Sequence, residues 1–473
     1  MRTSLEYGDG HVEAELPDSA TVITAGRSRR EPEPLSDPLA ATRDAIRVPL
    51  GVEPLDQLVG RGSKITIAFP DRVKGGVQDT AHRKVAIPAL LDELEHAGVA
   101  AADVTLICAI GLHRKNTEQE MAELLGENTL SRIDPAQVIN HDAEDVDRMV
   151  DAGTSRHGDP VQFNKAVVDA DLSIMIGHTS GNPYGGFSGG YKMPATGLTS
   201  WRSIRSHHSP GTMHRPDFVP PSTHSHFRDQ LRAIGRAMEA AAPRPFFAVD
   251  AVLDAQSRQL AVAAGSIAEV EQATWPTARM RTELTIPGPP ADVLVVGMPR
   301  NFHYGSGMGS NPILMLQAAG SSISRAKRAL RDDPVIIVSS ICDGWFNEPE
   351  FPATVAVYEA LQAVGSAAGL DRFEEDFSTR TEWVDAYREG VAYHPFHAFS
   401  MAYMGAVATL DSAAVIIAGA EQPSYAHGMG ALTADNVQDA LQQAERFVGS
   451  DPRVVVVPEL SKPAYHLAAA TST

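Results

Sequence analysis

A chain of 473 residues is too long for one ordinary domain and has room for two or three, each with a sizeable core. Hydrophobic residues make up 43% and charged residues 21%, an ordinary globular composition, while the net charge of -19 and the lack of any Lys/Arg-rich run exclude a nucleic-acid surface. The two cysteines, Cys108 and Cys342, lie in or beside apolar runs; their number excludes a disulfide framework or a CxxC metal site, and they read as buried reduced thiols.

The N-terminus, MRTSLEYGDGHVEAELPDSA, lacks the basic region and apolar stretch of a signal peptide. No apolar run reaches the ~20 residues of a membrane span. The expectation is a cytoplasmic protein with no membrane or nucleic-acid partner. Residues 5–25 read as short strands with a turn at Gly8–Gly10, and the Pro-rich run 28–38 as a loop before a helix over 37–48. KITIAFP (64–70) is a short, β-branched apolar run and predicts a buried strand ending at Asp71. A helix follows over 79–97, then a second buried strand at 104–110 and the segment GLHRKNT. A further helix spans 117–125, with Thr117 and Glu120 as a capping box. DLSIMI (171–176) predicts a third buried strand.

The run from Gly177 to Pro216 is polar and rich in glycine, proline and histidine, and predicts a long functional loop. An amphipathic helix over 227–242 and a hairpin of 247–253 with 260–264 come next. TIPGPP (285–290) is the clearest linker, after which the pattern restarts. Strands are predicted at 292–296, 334–339, 412–418 and 453–457, with a Gly-rich loop and a helix over 312–330 between the first two. Alternating strands and helices imply mainly parallel sheets covered by helices. The predicted architecture is two α/β domains, 1–284 and 291–473, with an active-site cleft between them.

The strongest chemical signal is GGFSGGYK, residues 185–192. Four glycines in six residues let backbone approach a ligand and present N–H groups to an anion. Lys192, directly after them, is placed to meet that anion or to react with it. A flexible turn with an exposed lysine remains open on these residues alone. Several histidines follow strands or sit in polar runs: His113, His141, His178 and the pair His207-His208. Imidazole is the commonest metal ligand and the usual base near neutral pH, although a single histidine is more often structural. Asp71, Arg72 and Lys74 follow the first buried strand, where a carboxylate and two cations can hold an anionic ligand or form an ordinary charged loop. His394 and His397 read more readily as surface histidines than as cleft residues, and Trp345 is a candidate for lining the substrate site.

The order of these motifs resembles the nickel-dependent lactate racemases and related 2-hydroxy-acid racemases and epimerases. The matching pieces are YGDG, LPD at 16–18, IAFPDR, AIGLHRKNT, INHDAED, GDPVQFNKAVVDADLSIMIG, GGFSGGYK, SHHSPG and NPILMLQAAG, spanning roughly residues 5 to 465. The resemblance implies an isomerase whose cofactor is a nickel-pincer nucleotide, pyridinium-3,5-bisthiocarboxylic acid mononucleotide, bound through a thioamide to Lys192. It implies His208 as the nickel ligand and His113 as one of two proton-transferring bases, while hydride moves from C2 to the pincer and back to the other face. Asp71, Gly186, Ser188, Gly189 and Gly190 fall in its cofactor-binding motifs. The implied partners are a small 2-hydroxy acid and the enzymes that make the cofactor.

Three positions depart from the family pattern. The second base position carries Asn182, an amide that takes no proton at neutral pH; His178, Tyr184 and His141 are the candidates to replace it. The cation after Asp71 is Lys74 in place of Arg, with Arg72 nearby. Gln317 keeps the family's carboxylate-binding Gln, but the Lys expected three residues later is Gly320. The expectation is a substrate other than lactate, such as a sugar acid using the room left by that lysine. Competing expectations are a pincer enzyme working in one direction only, a non-catalytic sensor or carrier that binds hydroxy acid or cofactor, and a zinc hydrolase. Retention of Lys192, His208 and His113 together argues against a binding-only protein, which needs no base. HHSPGTMH lacks the His-x-x-x-His helical spacing of zinc sites.

Overall fold

A computed structural model describes residues 1–24, 31–220, 222–460 and 465–470. Ala25 and the first three residues of the expected 28–38 loop lie outside them. The first sheet has the spatial order Gln259–Ser266, Phe247–Leu253, Leu172–Thr179, Ile65–Pro70, Val104–Ala109, Val138–Asn140. All neighbours are parallel except the first pair, the expected hairpin. Residues alternate between faces along each strand. Ile65, Ile67 and Phe69 join one apolar cluster, while Ala68 faces another. Burial on both faces is why these strands read as continuous apolar runs.

Chain order reverses in this sheet between Ile65–Pro70 and Leu172–Thr179. The first is followed in space by strands that come next in sequence, the second by strands that come later. Such a switch point opens a crevice beyond the carboxyl ends of the two strands. Asp71 and His178 stand at those two ends.

The second sheet runs Leu432–Ala434, Ala414–Ala418, Leu330–Ser339, Ala291–Pro299, and then Arg2–Gly8 and Gly10–Glu15, with Val454–Val457 also pairing with Ala291–Pro299. The N-terminal strands therefore belong here: Tyr7 pairs with Met298 in parallel register. This differs from the division expected at 284/291, which groups residues 1–24 with the first sheet. Strand pairing is non-local, and nothing local in YGDG names its partner. The linker also differs: Glu283–Ile286 is a strand, parallel to His466–Ala469.

The long loop expected from 177 to 216 contains the end of Leu172–Thr179, a two-residue hairpin (Gly181–Asn182 with Gly186–Phe187), and the helices Lys192–Gly197, Trp201–His207 and Pro210–Met213. The capping box at Thr117 and Glu120 forms as read. Both cysteines are buried and free. Among the described residues no helix is long and apolar enough to cross a membrane.

Two helices of the second unit, Pro312–Ala326 and Phe396–Leu410, pack closely because glycines face each other. A Cβ on Gly320 would lie 2.1 Å from the carbonyl oxygen of Met404, and one on Gly405 would lie 2.9 Å from Leu316 Cγ. Gly320 thus faces the neighbouring helix backbone. The room expected from the missing lysine does not exist, because a side chain at 320 would not point into a substrate site. Gly320→Ala is expected to lower stability by about 1–3 kcal/mol in denaturant unfolding, despite alanine's better helix propensity of about 1 kcal/mol. A variant as stable as the parent would show that the two helices part freely.

Candidate active site

A cavity of about 130 Å³ lies at the carboxyl ends of the first sheet, lined by Asp71, Lys74, His113, His178, Asn182, Tyr184, Ser188, Gly189, Lys192 and His208. Tyr304, His397, Ser400 and Met401 line it from the chain's second half. A larger cavity of about 440 Å³ adjoins it and shares Lys74, His178, Asn182, Tyr184, Ser188 and Tyr304 with it.

Lys192 opens the helix after the Gly-rich loop. Its amine lies 4.8 Å from the Phe227 ring centre and 5.2 Å from that of Tyr184. Burial holds its ammonium well below the usual lysine range, and Lys74 and Arg228 add to this. The amine therefore gives up its proton more readily than an exposed lysine, as other desolvated lysines do.

Two N–H groups of the loop are bonded within the protein and are not available to a ligand. Gly190 N donates to Asp250 Oδ2 at 2.9 Å and Tyr191 N to Glu271 Oε1 at 3.0 Å. A Cβ would lie 2.4 Å from Asp250 Oδ2 at Gly189 and 2.1 Å from Glu271 Oε1 at Gly190, and both residues have positive φ. These glycines let the backbone settle on buried carboxylates. Glu271 is neutralised by Arg228 at 2.7 Å, and burial lifts the Asp250 carboxyl to about 6. Ser188 and Gly189 reach the cavity, whereas Gly186 and Gly190 are not among its lining.

His113 Nδ1 is 2.6 Å from Asp71 Oδ2, and the other Asp71 oxygen accepts from Val73 N at 3.2 Å. Asp71, expected in the cofactor set, is thus the hydrogen-bond partner of His113. Its burial raises its pKa, but His113, Lys74 and Arg83 outweigh that and keep it ionised. The carboxylate accepts a hydrogen bond from Nδ1–H, so Nε2 of His113 is the free acceptor. The loop bearing His113 is braced from the second half: Tyr387 donates to Gly111 O at 3.1 Å, and His394 N donates to Leu112 O at 2.9 Å.

His208 stacks on Tyr184, and its Nδ1 is 2.7 Å from Nδ1 of His207. Burial holds both imidazoles well below the usual histidine range; His207 falls to about 3. His207 thus orients His208, as a partner behind a metal-binding imidazole does. His178 lies between the two cavities; burial, Lys74 and Arg83 hold it at about 3. Asn182 lines both cavities, and its Oδ1 accepts from Tyr184 N at 2.8 Å, turning the loop.

Other expected residues fall elsewhere. His141 is buried with Nε2 3.0 Å from Thr199 O and Nδ1 3.2 Å from Asn164 Nδ2, so it is structural and cannot replace the missing base. Arg72 pairs with Glu120 and lines neither cavity, unlike Lys74. Gln317 lines the larger cavity and donates to Tyr184 Oη at 3.3 Å and Ser321 Oγ at 2.9 Å. Trp345 is 46% exposed and lines neither cavity. His394 and His397 are buried, contrary to the surface reading. His394 is tied to Glu144 at 2.7 Å, and His397 reaches the cavity 6.0 Å, ring to ring, from His113.

The sequence reading missed Tyr304, Arg83 and Arg325. Tyr304 lies in the Gly-rich loop after Ala291–Pro299, 5.4 Å ring to ring from His113. Arg83 pins the 71–76 loop through Lys74 O, at 2.7 Å, and Gly76 O. Arg325 lies two turns past Gln317 on one helix face, and that four-residue spacing of polar residues on an apolar helix was a readable signal.

Residues 7–218 match the family described as the lactate racemase N-terminal domain. The chain is 23% identical over 428 residues to the lactate racemase of Thermoanaerobacterium thermosaccharolyticum, covering 88% of this chain and 87% of that protein. It is 27% identical over 161 residues to the lactate racemase of Lactiplantibacillus plantarum, covering 34% of this chain and 36% of that one. The fold matches the solved lactate racemase apoprotein from T. thermosaccharolyticum with a TM-score of 0.71 at 20% identity, over 99% of this chain and all (100%) of that chain. A Thermotoga maritima protein matches with a TM-score of 0.58 at 15% identity, over 95% of this chain and 100% of that one. The domain match takes in Asp71, His113, Lys192 and His208, and the chain is similar to a lactate racemase along most of its length.

Proposed function

We propose that the protein inverts C2 of a 2-hydroxy acid with a nickel-pincer nucleotide carried on Lys192, in a site between the two α/β units. The observation that carries this is one cavity holding a buried lysine, the oriented imidazole of His208 and the Asp71–His113 dyad. These residues fit the group. The uncharged amine of Lys192 is the form that bonds to an acyl carbon. Among the described residues no group of three or more His, Cys, Asp or Glu can hold a metal by itself. The protein offers one neutral imidazole, His208, and a metal there takes its other donors from the bound group; sulfur with imidazole suits nickel. When bound, that group supplies a hydride acceptor for C2.

The chain's own residues do the rest. His113 takes the substrate hydroxyl proton at Nε2, while Asp71 fixes its tautomer and stabilises the imidazolium. Lys74 meets the carboxylate next to C2. Gln317 Oε1, buried without a partner, accepts from a substrate hydroxyl. His178 handles the proton on the other face in place of Asn182. An anion against Lys74 offsets one of the charges that depress His178 and makes it a better base. Closure of one unit on the other keeps the transient keto acid from escaping.

Mass spectrometry and metal analysis of protein co-produced with the cofactor's biosynthetic enzymes test the assignment. An adduct on Lys192 with nickel at a one-to-one ratio, both absent in Lys192→Ala, is expected; no adduct and no nickel would overturn it. Asp71→Asn is expected to lower turnover about 10²–10⁴-fold with a much smaller effect on KM, read by a chiral assay of hydroxy-acid inversion. A variant retaining most of its kcat would remove the dyad from the chemistry.

A further inference from the structure

The larger cavity carries more positive charge than one carboxylate requires. Lys74 and Arg325 both line it and lie near enough to repel one another. No ion pair of either side chain is found among the described residues, and Arg325 Nε is buried without a hydrogen-bond partner. Asp71, the carboxylate nearest Lys74, is already bonded to His113. Asp254, the one carboxylate in the cavity lining, is also committed: its oxygens accept from Gln256 N, Arg258 N and Arg258 Nε at 2.7–2.8 Å. A buried guanidinium is costly unless an anion meets it. In a chain of net charge -19, two such cations facing one cavity mark it as a receptor for negative charge.

The helix that bears Arg325 explains its position. Gln317, Ser321 and Arg325 follow at four-residue spacing and line the cavity together, whereas Gly320 faces the neighbouring helix. Arg325 lies eight residues beyond Gln317, or about 12 Å along the axis. It therefore meets a group remote from the carboxylate held by Lys74 and the hydroxyl met by Gln317. The cavity around it has more than three times the volume of the one containing His113 and Lys192.

We infer that Arg325 and Ser321 form a subsite for a second anionic group, a carboxylate or phosphate at the far end of the substrate, so that the protein acts on a dianionic 2-hydroxy acid. This rests on the proposed hydroxy-acid chemistry but is tested without turnover. The probes are malate and lactate, titrated calorimetrically into the whole protein at fixed ionic strength. Malate is expected to bind about 10-fold or more tightly than lactate. Arg325→Met and Arg325→Gln are expected to bring that ratio close to one, and Arg325→Lys to keep most of it. Equal affinities in the parent protein, no binding of malate, or a ratio that survives Arg325→Met and Arg325→Gln would each overturn the subsite. A preference that vanishes when nicotinic acid mononucleotide is bound would also overturn it, because the cavity would then belong to the nucleotide's phosphate. Failure of the Lys192 adduct, in contrast, would sink the racemase reading and leave this binding result standing.

Discussion

Two buried carboxylates hold up the loop that presents Lys192, and the geometry of the site depends on them. Asp250 and Glu271 take the N–H groups of Gly190 and Tyr191, so the backbone is fixed immediately before the lysine. Burying them is expensive. Arg228 neutralises Glu271, and Asp250 is lifted until it titrates at about 6. Only glycine tolerates the approach, because a Cβ at 189 or 190 would overlap a carboxylate oxygen. The motif therefore has a reason beyond any bound anion: it places one amine between Tyr184 and Phe227 with little freedom to turn away.

The rest of the site shows the same arrangement of charge. A strongly acidic chain encloses a lining that holds Lys74, Lys192, Arg281 and Arg325, while its carboxylates, Asp71 and Asp254, are already hydrogen-bonded. Burial above all holds the neighbouring imidazoles neutral, and Lys74 adds to it at His178. A neutral imidazole can ligate a metal or accept a proton, and an imidazolium can do neither. His113 alone among these histidines has a carboxylate, Asp71, within hydrogen-bonding distance. His113 and His208 therefore differ in their surroundings: one is bonded to a carboxylate, the other to a second imidazole.

Much of this was legible in the sequence because it is local. Apolar runs such as KITIAFP became buried parallel strands, and Thr117 with Glu120 closed a capping box. Asp71, His113, His178 and Lys192 follow strand ends in the chain and meet in one cavity for that reason. What was hidden is non-local or lacks periodicity. Ile267–Thr282, which carries Glu271, went unread with Pro276 inside it. Phe396–Leu410 is buried almost all round, so no amphipathic stripe announced it and His397 read as a surface residue. The pairing of Tyr7 with Met298, and of Glu283 with His466, joins segments that share no local signal. Arg72 and His141 misled because a charged or imidazole side chain after a strand is equally at home in a structural role. Arg72 is bound to Glu120, and His141 to Thr199 and Asn164.

Gly320 shows how packing and specificity become one constraint. Read in the sequence, it looks like a lost cation that leaves space behind. In the structure it is the point where Pro312–Ala326 meets the backbone of Phe396–Leu410, and no side chain fits there. Once the helices close on that contact, position 320 cannot serve the cavity, and the helix face that does is fixed by the spacing of Gln317, Ser321 and Arg325. A positive charge on this helix can then reach the site only farther from the reacting carbon. The close packing of the helices and the placement of Arg325 in the cavity are therefore linked through the geometry of one helix. A lysine at 320 would break this packing without supplying an anchor to the cavity.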